Sequence, residues 1–395
     1  MSKIDVFHQC GHNDVWNFDI FTQDKIGDGL IFGPKMASSN KITQRDDKLK
    51  QRSLFDPQFY YPRSKLQKFA MFDFFPDVIS DGYSTINFEE SCFESAVKCV
   101  DFQLSQDYKF IIIPTVVYDE TPQNYLEILK NLYIDPYLQA CGSAGSSNKK
   151  VLLSIVIKDS QLTDENFTNE LLNFITGYTE IDGVYLVPFQ KSISKRVKDI
   201  DYILNMLYFI NALKENELYV HLAYVDIEGL LYSVTGIDSV SIGVFENTRK
   251  FNLENFKERK NDSHQKGPKR RIYSSKLLQW IDFDYLGAMK DIDFFPELFD
   301  NNKYVNFSTP DQYNWHLKFP ELYKHYMTSI YSQYKLLPDD FNERCNELRK
   351  VIKEGIELYN KIENEGVLFN NDSNGDHLYK WYTAITKFSK YVKGE

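Results

Sequence analysis

Residues 53–62 read SLFDPQFYYP. Asp56 follows a short apolar run and precedes Pro57, whose missing N–H stops strand pairing. That places a carboxylate at a strand end with Gln58, Phe59, Tyr60 and Tyr61 beside it. A strand-end carboxylate among such neighbours is a candidate site residue. An Asp-Pro turn that sends its aromatics into the core accounts for the same residues, and both readings stand. Residues 218–249 carry a second set. Two strand-length apolar runs, 218–225 and 238–245, flank 227–235, which has helical spacing and stops at Gly236. Strand, short helix, strand is the unit of a parallel sheet covered by helices, and such sheets present their chemistry where strands end. Tyr224, Asp226, Glu246, Asn247 and Arg249 fall there.

The run 257–271 (KERKNDSHQKGPKRR) holds seven Lys/Arg against two acids in a chain of net charge −10. Bulk electrostatics therefore disfavours a nucleic-acid partner, and any such contact needs this local patch, with Lys266, Lys269, Arg270 and Arg271 as candidate phosphate contacts. A solvated loop is the alternative. His8, Cys10 and His12 are close in sequence, but a zinc site needs a second cluster of compatible spacing and none is evident, so a surface segment is expected and no metal. Five scattered cysteines without a Cys-x-x-Cys give no disulfide framework. No Gly-x-Gly-x-x-Gly follows a strand and no phosphate-loop motif occurs, so no nucleotide cofactor is expected. There is no signal peptide and no apolar run long enough for a membrane span; a cytoplasmic protein is expected. Oligomeric state stays open.

The elements that must position these residues alternate. Residues 29–34 read as the first strand, after an irregular polar segment 1–28; 69–80 as a strand and its loop, with Asp73, Asp77 and Asp81. Apolar strands at 109–118, 150–157 and 183–188 are separated by helical patterns at 88–106, 124–140, 164–177 and 199–214. Residues 273–281 are expected to close the sheet. This alternation points to a (β/α) barrel or a doubly wound sheet. Strand-end polar residues Thr115, Lys158, Gln190 and His221 are each more often structural than catalytic. Residues 314–333, 339–363 and 377–393 have helical spacing and form a C-terminal helical appendage.

The stretch 218–249 resembles the late-barrel segment of the tRNA-guanine transglycosylase family, on Tyr219-Val220, Leu230-Leu231, Gly236-Ile237-Asp238 and Thr248-Arg249. Asp56, Gln58 and Phe59 resemble that family's Asp-Ser-Gly-Gly-Phe-Gln motif, without its two glycines. The resemblance implies an α/β fold, a (β/α)8 TIM-like barrel over residues 1–289 with a helical region over 290–395, and chemistry at an N-glycosidic bond in nucleic acid. It also implies a role for Asp56 in base contact and acid/base work. The family's nucleophilic Asp falls where this chain has Ser241 or Gly243, and the Cys-rich zinc element is missing.

Without a nucleophile, double displacement loses its first step and hydrolysis remains. The reading is a glycosylase that removes a base, in modified form or not, from DNA rather than tRNA. Asp56 is the first catalytic choice, with Asp226 and Glu246 in reserve. Gln58, Phe59, Tyr60, Tyr61 and Tyr224 hold the base, and Arg249 with the basic run holds phosphates. The superfamily's DNA-acting members imply a setting in antiviral defence. The alternatives are base exchange on tRNA or DNA, a barrel enzyme on a small phosphorylated or carbonyl substrate, and a non-catalytic nucleic-acid-binding barrel. The glycosylase reading requires Asp56 and the loop ending in Arg249 to share one rim of a closed ring of strands.

Overall fold

A computed structural model describes residues 3–11, 14–82, 84–145, 148–190, 195–258, 269–307 and 317–395. Eight parallel strands run in chain order around a nearly closed ring. They are β1 (Asp5–Gln9), β2 (Gly29–Phe32), β3 (Leu54–Phe55), β4 (Phe110–Ile113), β5 (Lys150–Lys158), β6 (Gly183–Phe189), β7 (Tyr219–Leu222) and β8 (Ser239–Gly243). Neighbours pair as parallel ladders all the way from β3 through β1 and β8 to β4. At the seam between β3 and β4 there is no ladder; the Lys109 N–H donates to the Ser53 carbonyl at 2.9 Å, and beyond the strand ends the Val117 N–H donates to the Tyr60 carbonyl at 3.0 Å. The expected barrel is thus present, with helices between the strands.

Strands β4 to β6 are apolar runs buried on both faces, as strands covered by helices must be. The helices start on side-chain caps: Ser84 accepts from the Asn87 N–H ahead of helix Thr85–Ser105, and Asp199 accepts from the Asp201 and Tyr202 N–H groups ahead of helix Ile200–Glu215. The ring starts earlier than expected. Residues 5–9 (DVFHQ) form β1 and 15–23 the first helix, so Gly29–Phe32 is the second strand. Alternation explains the strand: the Phe7 ring meets His221 of β7 at 5.5 Å, and His8 meets Phe21 of the first helix at 6.1 Å. His8 and Cys10 are buried, not on a surface segment; His12 lies outside the described residues. No cluster of His, Cys, Asp or Glu suited to a metal occurs among the described residues, and all five cysteines are free and buried.

Residues 69–80 form a 3-10 turn (Phe69–Met71) and a short helix (Pro76–Ile79) rather than a strand. Pro76 forbids ladder pairing and starts the helix instead. Residues 271–282 do not close the ring either. They form an antiparallel hairpin, β9 (Arg271–Ser274) and β10 (Gln279–Asp282), beside a ring that already has eight strands. Helix Phe319–Leu336 packs on the hairpin and on helix Val15–Gln23, where Lys324 pairs with Asp19 at 2.9 Å. Its far end reaches the start of β1, Lys335 Nζ donating to the Ile4 carbonyl at 2.8 Å. Helices Phe341–Asn364 and Asp376–Lys393 pack on each other, and the latter on helix Ile200–Glu215. No helix among the described residues is long and apolar enough to cross a membrane.

The ring's tightness gives a direct test. A Cβ on Gly183, at the start of β6, would lie 2.1 Å from the Tyr219 carbonyl oxygen of β7, whereas a Cβ on Gly287 meets nothing within 4 Å. Gly183→Ala is expected to cost about 3 kcal/mol or more, since backbone must move. Gly287→Ala, inside helix Tyr285–Met289, should be neutral or stabilise by roughly 0.5–1 kcal/mol. Urea denaturation midpoints of the two variants check this.

Candidate functional site

The C-terminal ends of the strands open into a cavity of about 1490 Å³, where barrel folds keep their sites. Its described lining holds ten Lys/Arg against five Asp/Glu, so the mouth is cationic in a chain of net charge −10. Three arrangements make up the site.

The first lies just under the floor. Asp56, one residue past β3, is 1% exposed and does not itself line the cavity. Its Oδ1 accepts from the Gln58 N–H at 3.0 Å. Its Oδ2 accepts from the hydroxyls of Tyr60 at 3.0 Å, Tyr224 at 3.1 Å and Tyr185 at 3.5 Å. Burial pushes the Asp56 carboxyl up to about 7, against the lowering effect of these donors. Gln58 and Tyr224, which do line the cavity, are therefore the groups between the acid and any ligand. The Gln58 side chain donates to the Tyr224 hydroxyl at 2.9 Å and accepts from the Lys35 N–H at 2.9 Å, so its amide is committed within the fold. Gln58 and Tyr224 both have left-handed backbone, φ 59° and 53°. Such strain persists only where the surroundings enforce it, and it collects at sites that work. Here the enforcing contacts include Ser241, whose hydroxyl accepts from the Tyr224 N–H at 3.0 Å, and Gly33, where a Cβ would meet the Gln58 side chain at 2.7 Å.

The second is a buried ion network on one wall. Asp226 Oδ2 lies 2.6 Å from Arg196 Nη2 and 3.3 Å from Arg249 Nε, and Glu228 Oε2 lies 2.9 Å from Arg196 Nη1. Asp226 Oδ1 accepts from Trp280 Nε1–H and from the Tyr326 hydroxyl, each at 3.2 Å. Burial opposes ionisation of Asp226, but Arg196 and Arg249 hold its carboxyl below the usual range; burial raises that of Glu228. Arg249 stacks on Trp280 at 4.3 Å and donates to the Val244 carbonyl at 2.7 Å. Both oxygens of Asp226 are thus taken, a shape suited to fixing the wall. Glu246 is exposed, 3.3 Å from Lys195.

The third is a group of rings at the mouth. Trp16 and Tyr323 stack at 5.6 Å, Phe245 lies 5.6 Å from Trp16 and 5.5 Å from Tyr323, and Phe319 stacks on Tyr323 at 6.0 Å. All four line the cavity.

Asp56 and Arg249 stand at the same end of the ring, and Arg249 reaches the cavity while Asp56 is covered. Of the residues expected to hold a base, Phe59 is buried against Phe74 and Phe75, and Tyr60 against Phe251 and Phe256. Tyr61 is half-buried beneath the Lys257 ammonium. None of the three lines the cavity. In the basic run, Arg271 is paired with Asp282 at 2.6 Å and Asp372 at 2.7 Å, and Arg270 donates to the Leu317 carbonyl and stacks on Phe283. Lys269 is exposed, 4.0 Å from Asp282, and Lys266 lies outside the described residues. Lys158 donates to the Asp119 carbonyl at 3.1 Å, a structural role. Arg196, Glu228, Trp280 and the mouth rings are not marked as site residues in the sequence reading, and Phe319 and Tyr323 enter it only within the helical spacing of 314–333. The acidic pair Asp226 and Glu228 was the one signal for the network; nothing in the sequence around Arg196 or Trp16 marks them.

No family model matches this chain, and no curated protein or solved structure is significantly similar to it.

Proposed function

We propose that this barrel is a nucleic-acid base glycosylase, hydrolysing an N-glycosidic bond at its mouth. The observation that carries the reading is Tyr224, a cavity-lining residue whose hydroxyl is bonded to a buried carboxyl that burial pushes up to about 7. A departing base needs a proton as the C–N bond breaks, and an acid whose pKa lies near the working pH supplies it best. The C–N electron pair goes to the base nitrogen. The base takes the Tyr224 hydroxyl proton, and Tyr224 takes one from Asp56. Water then adds to the oxocarbenium-like sugar carbon and gives up its proton, which returns by the same route to the Asp56 carboxylate. Asp56 thereby serves as a proton reservoir acting through Tyr224 instead of as a base in direct contact.

The cationic lining supports an anionic ligand such as a nucleic-acid strand. Base exchange requires a nucleophile, which the resembled family carries on the strand that matches β8; Asp226 or Glu246 would have to replace it here. On β8 the chain has SVSIG, and Ser241 is buried with its hydroxyl bound to the Tyr224 N–H, which favours hydrolysis. DNA as substrate, rather than tRNA, and a role in defence belong to this proposal and rest on the family resemblance. The test is mass spectrometry of free bases released from DNAs, including heavily modified phage DNA, by the wild type and Asp56→Asn. Base release by the wild type, reduced in Asp56→Asn, is expected. No base from any DNA, or equal release by the variant, overturns the proposal.

A further inference from the structure

Two ring clusters border the cavity, the first through Tyr224 and Phe256, the second through Trp16, Phe245, Phe319, Tyr323 and Trp280. One surrounds the buried acid and joins Tyr60, Tyr224, Phe251 and Phe256 through T-shaped and stacked contacts. The other is the mouth group of Trp16, Phe245, Phe319 and Tyr323, which continues through Trp280 to Tyr326. No ring contact joins the two among the described residues. A single base undergoing cleavage uses the first cluster's end, where Gln58 and Tyr224 sit, and leaves the second without an occupant.

The mouth group is unlike a core. Trp16, Phe245 and Phe319 stay partly buried although each has ring partners, and with the buried Tyr323 they line the cavity. They come from three separate parts of the chain: the first residues of helix Val15–Gln23, the turn after β8, and the first turn of helix Phe319–Leu336. Cations share the same lining, with Lys195, Arg249 and Lys250 close by in sequence or contact. Rings interleaved with cations along one groove are the composition that binds single strands, where each base has a face to stack and each phosphate a charge to meet.

We propose that the Trp16–Phe245–Phe319–Tyr323 shelf is a stacking subsite for an unpaired base next to the one being cleaved, so that the ligand is a single-stranded oligonucleotide rather than a free nucleoside. This rests on the nucleic-acid reading above and adds to it a second, separate base site. The excess of cations over acids in the lining supplies the charge complementarity for a strand with several phosphates.

Oligothymidylates of one to eight nucleotides, titrated by quenching of intrinsic tryptophan fluorescence and checked by anisotropy of a labelled strand, test it. The wild type is expected to gain affinity steeply over the first few nucleotides. Trp16→Ala and Phe319→Ala should each weaken the longer strands about tenfold and flatten that gain. Trp16→Phe should restore most of it, and Tyr379→Ala, an exposed ring on the C-terminal helix, should bind as the wild type does. Thermal melts of the same samples separate lost binding from lost fold. If the wild type releases bases but both shelf variants keep its length dependence, the shelf is overturned and the glycosylase reading stands. If the wild type neither binds oligonucleotides nor releases a base, both fall.

Discussion

Arg196→Met should destabilise the protein by about 3–5 kcal/mol, the expected cost of removing one partner from a buried ion group. Arg196 is the only described cation within ion-pair distance of Glu228, and it shares Asp226 with Arg249. Without it two carboxylates, each about 9% exposed in the side chain, remain with Arg249 on Asp226 and no described cation in ion-pair range of Glu228. Methionine fills the volume but offers no donors, so the Glu228 carboxyl must take up a proton or draw in water. Small domains are stable by only about 5–15 kcal/mol, so the loss is a large share of the total. Guanidinium denaturation at neutral pH measures it. The companion variant Glu228→Gln, which keeps a hydrogen-bonding partner for Arg196, should cost much less. A small loss for Arg196→Met, no larger than that for Glu228→Gln, would show that the ion pairs of Arg196 contribute little.

Asp56→Asn should lower base release by about a hundredfold or more while making the protein more stable above neutral pH. The folded carboxyl titrates near 7, against 3.8 for the exposed group. Between those values the folded state holds a proton that the unfolded state has lost. Stability therefore falls as pH rises from about 4 to about 7 and levels off above, when both states are ionised. A displacement of that size corresponds to on the order of 4 kcal/mol, spread over that window. Asparagine cannot ionise, so the difference between wild-type and variant stability should trace this curve and vanish near pH 4. In the same window the wild-type rate should be flat and then fall about tenfold per pH unit above 7, because the reservoir is empty. A wild-type rate that rises through 7 would mean that the acid works as a base. A stability difference independent of pH would mean that Asp56 is ionised throughout.

Much of the ring was legible from β4 to β8, because strands buried on both faces read as unbroken apolar runs such as VLLSIVIK. β1 was not, since DVFHQ places polar residues at positions that pack inside. Read from sequence, the ring starts at Gly29 and takes 69–80 and 273–281 as strands, where the protein has short helices and a hairpin beside the ring. In the site, strand-end logic found Asp56, Tyr224, Asp226 and Arg249. It could not find Arg196, whose partners are 30 and 32 residues further on. The tyrosines after Asp56 were legible as rings but not in their roles. Tyr60 turns its hydroxyl back onto the acid, while the rings that line the mouth belong to segments whose pattern shows an element but not which way it faces.

The seam between β3 and β4 bears on how a covered acid is reached. β3 contributes two residues to the ring, and its far side is held by isolated backbone bonds instead of a ladder. Asp56 is the very next residue. Amide protons along this edge should exchange with solvent sooner than those of the fully laddered strands, through local opening that leaves the rest of the ring intact. Under the proposed proton relay, local opening at this thin edge would be the route by which water reaches the Asp56 carboxyl.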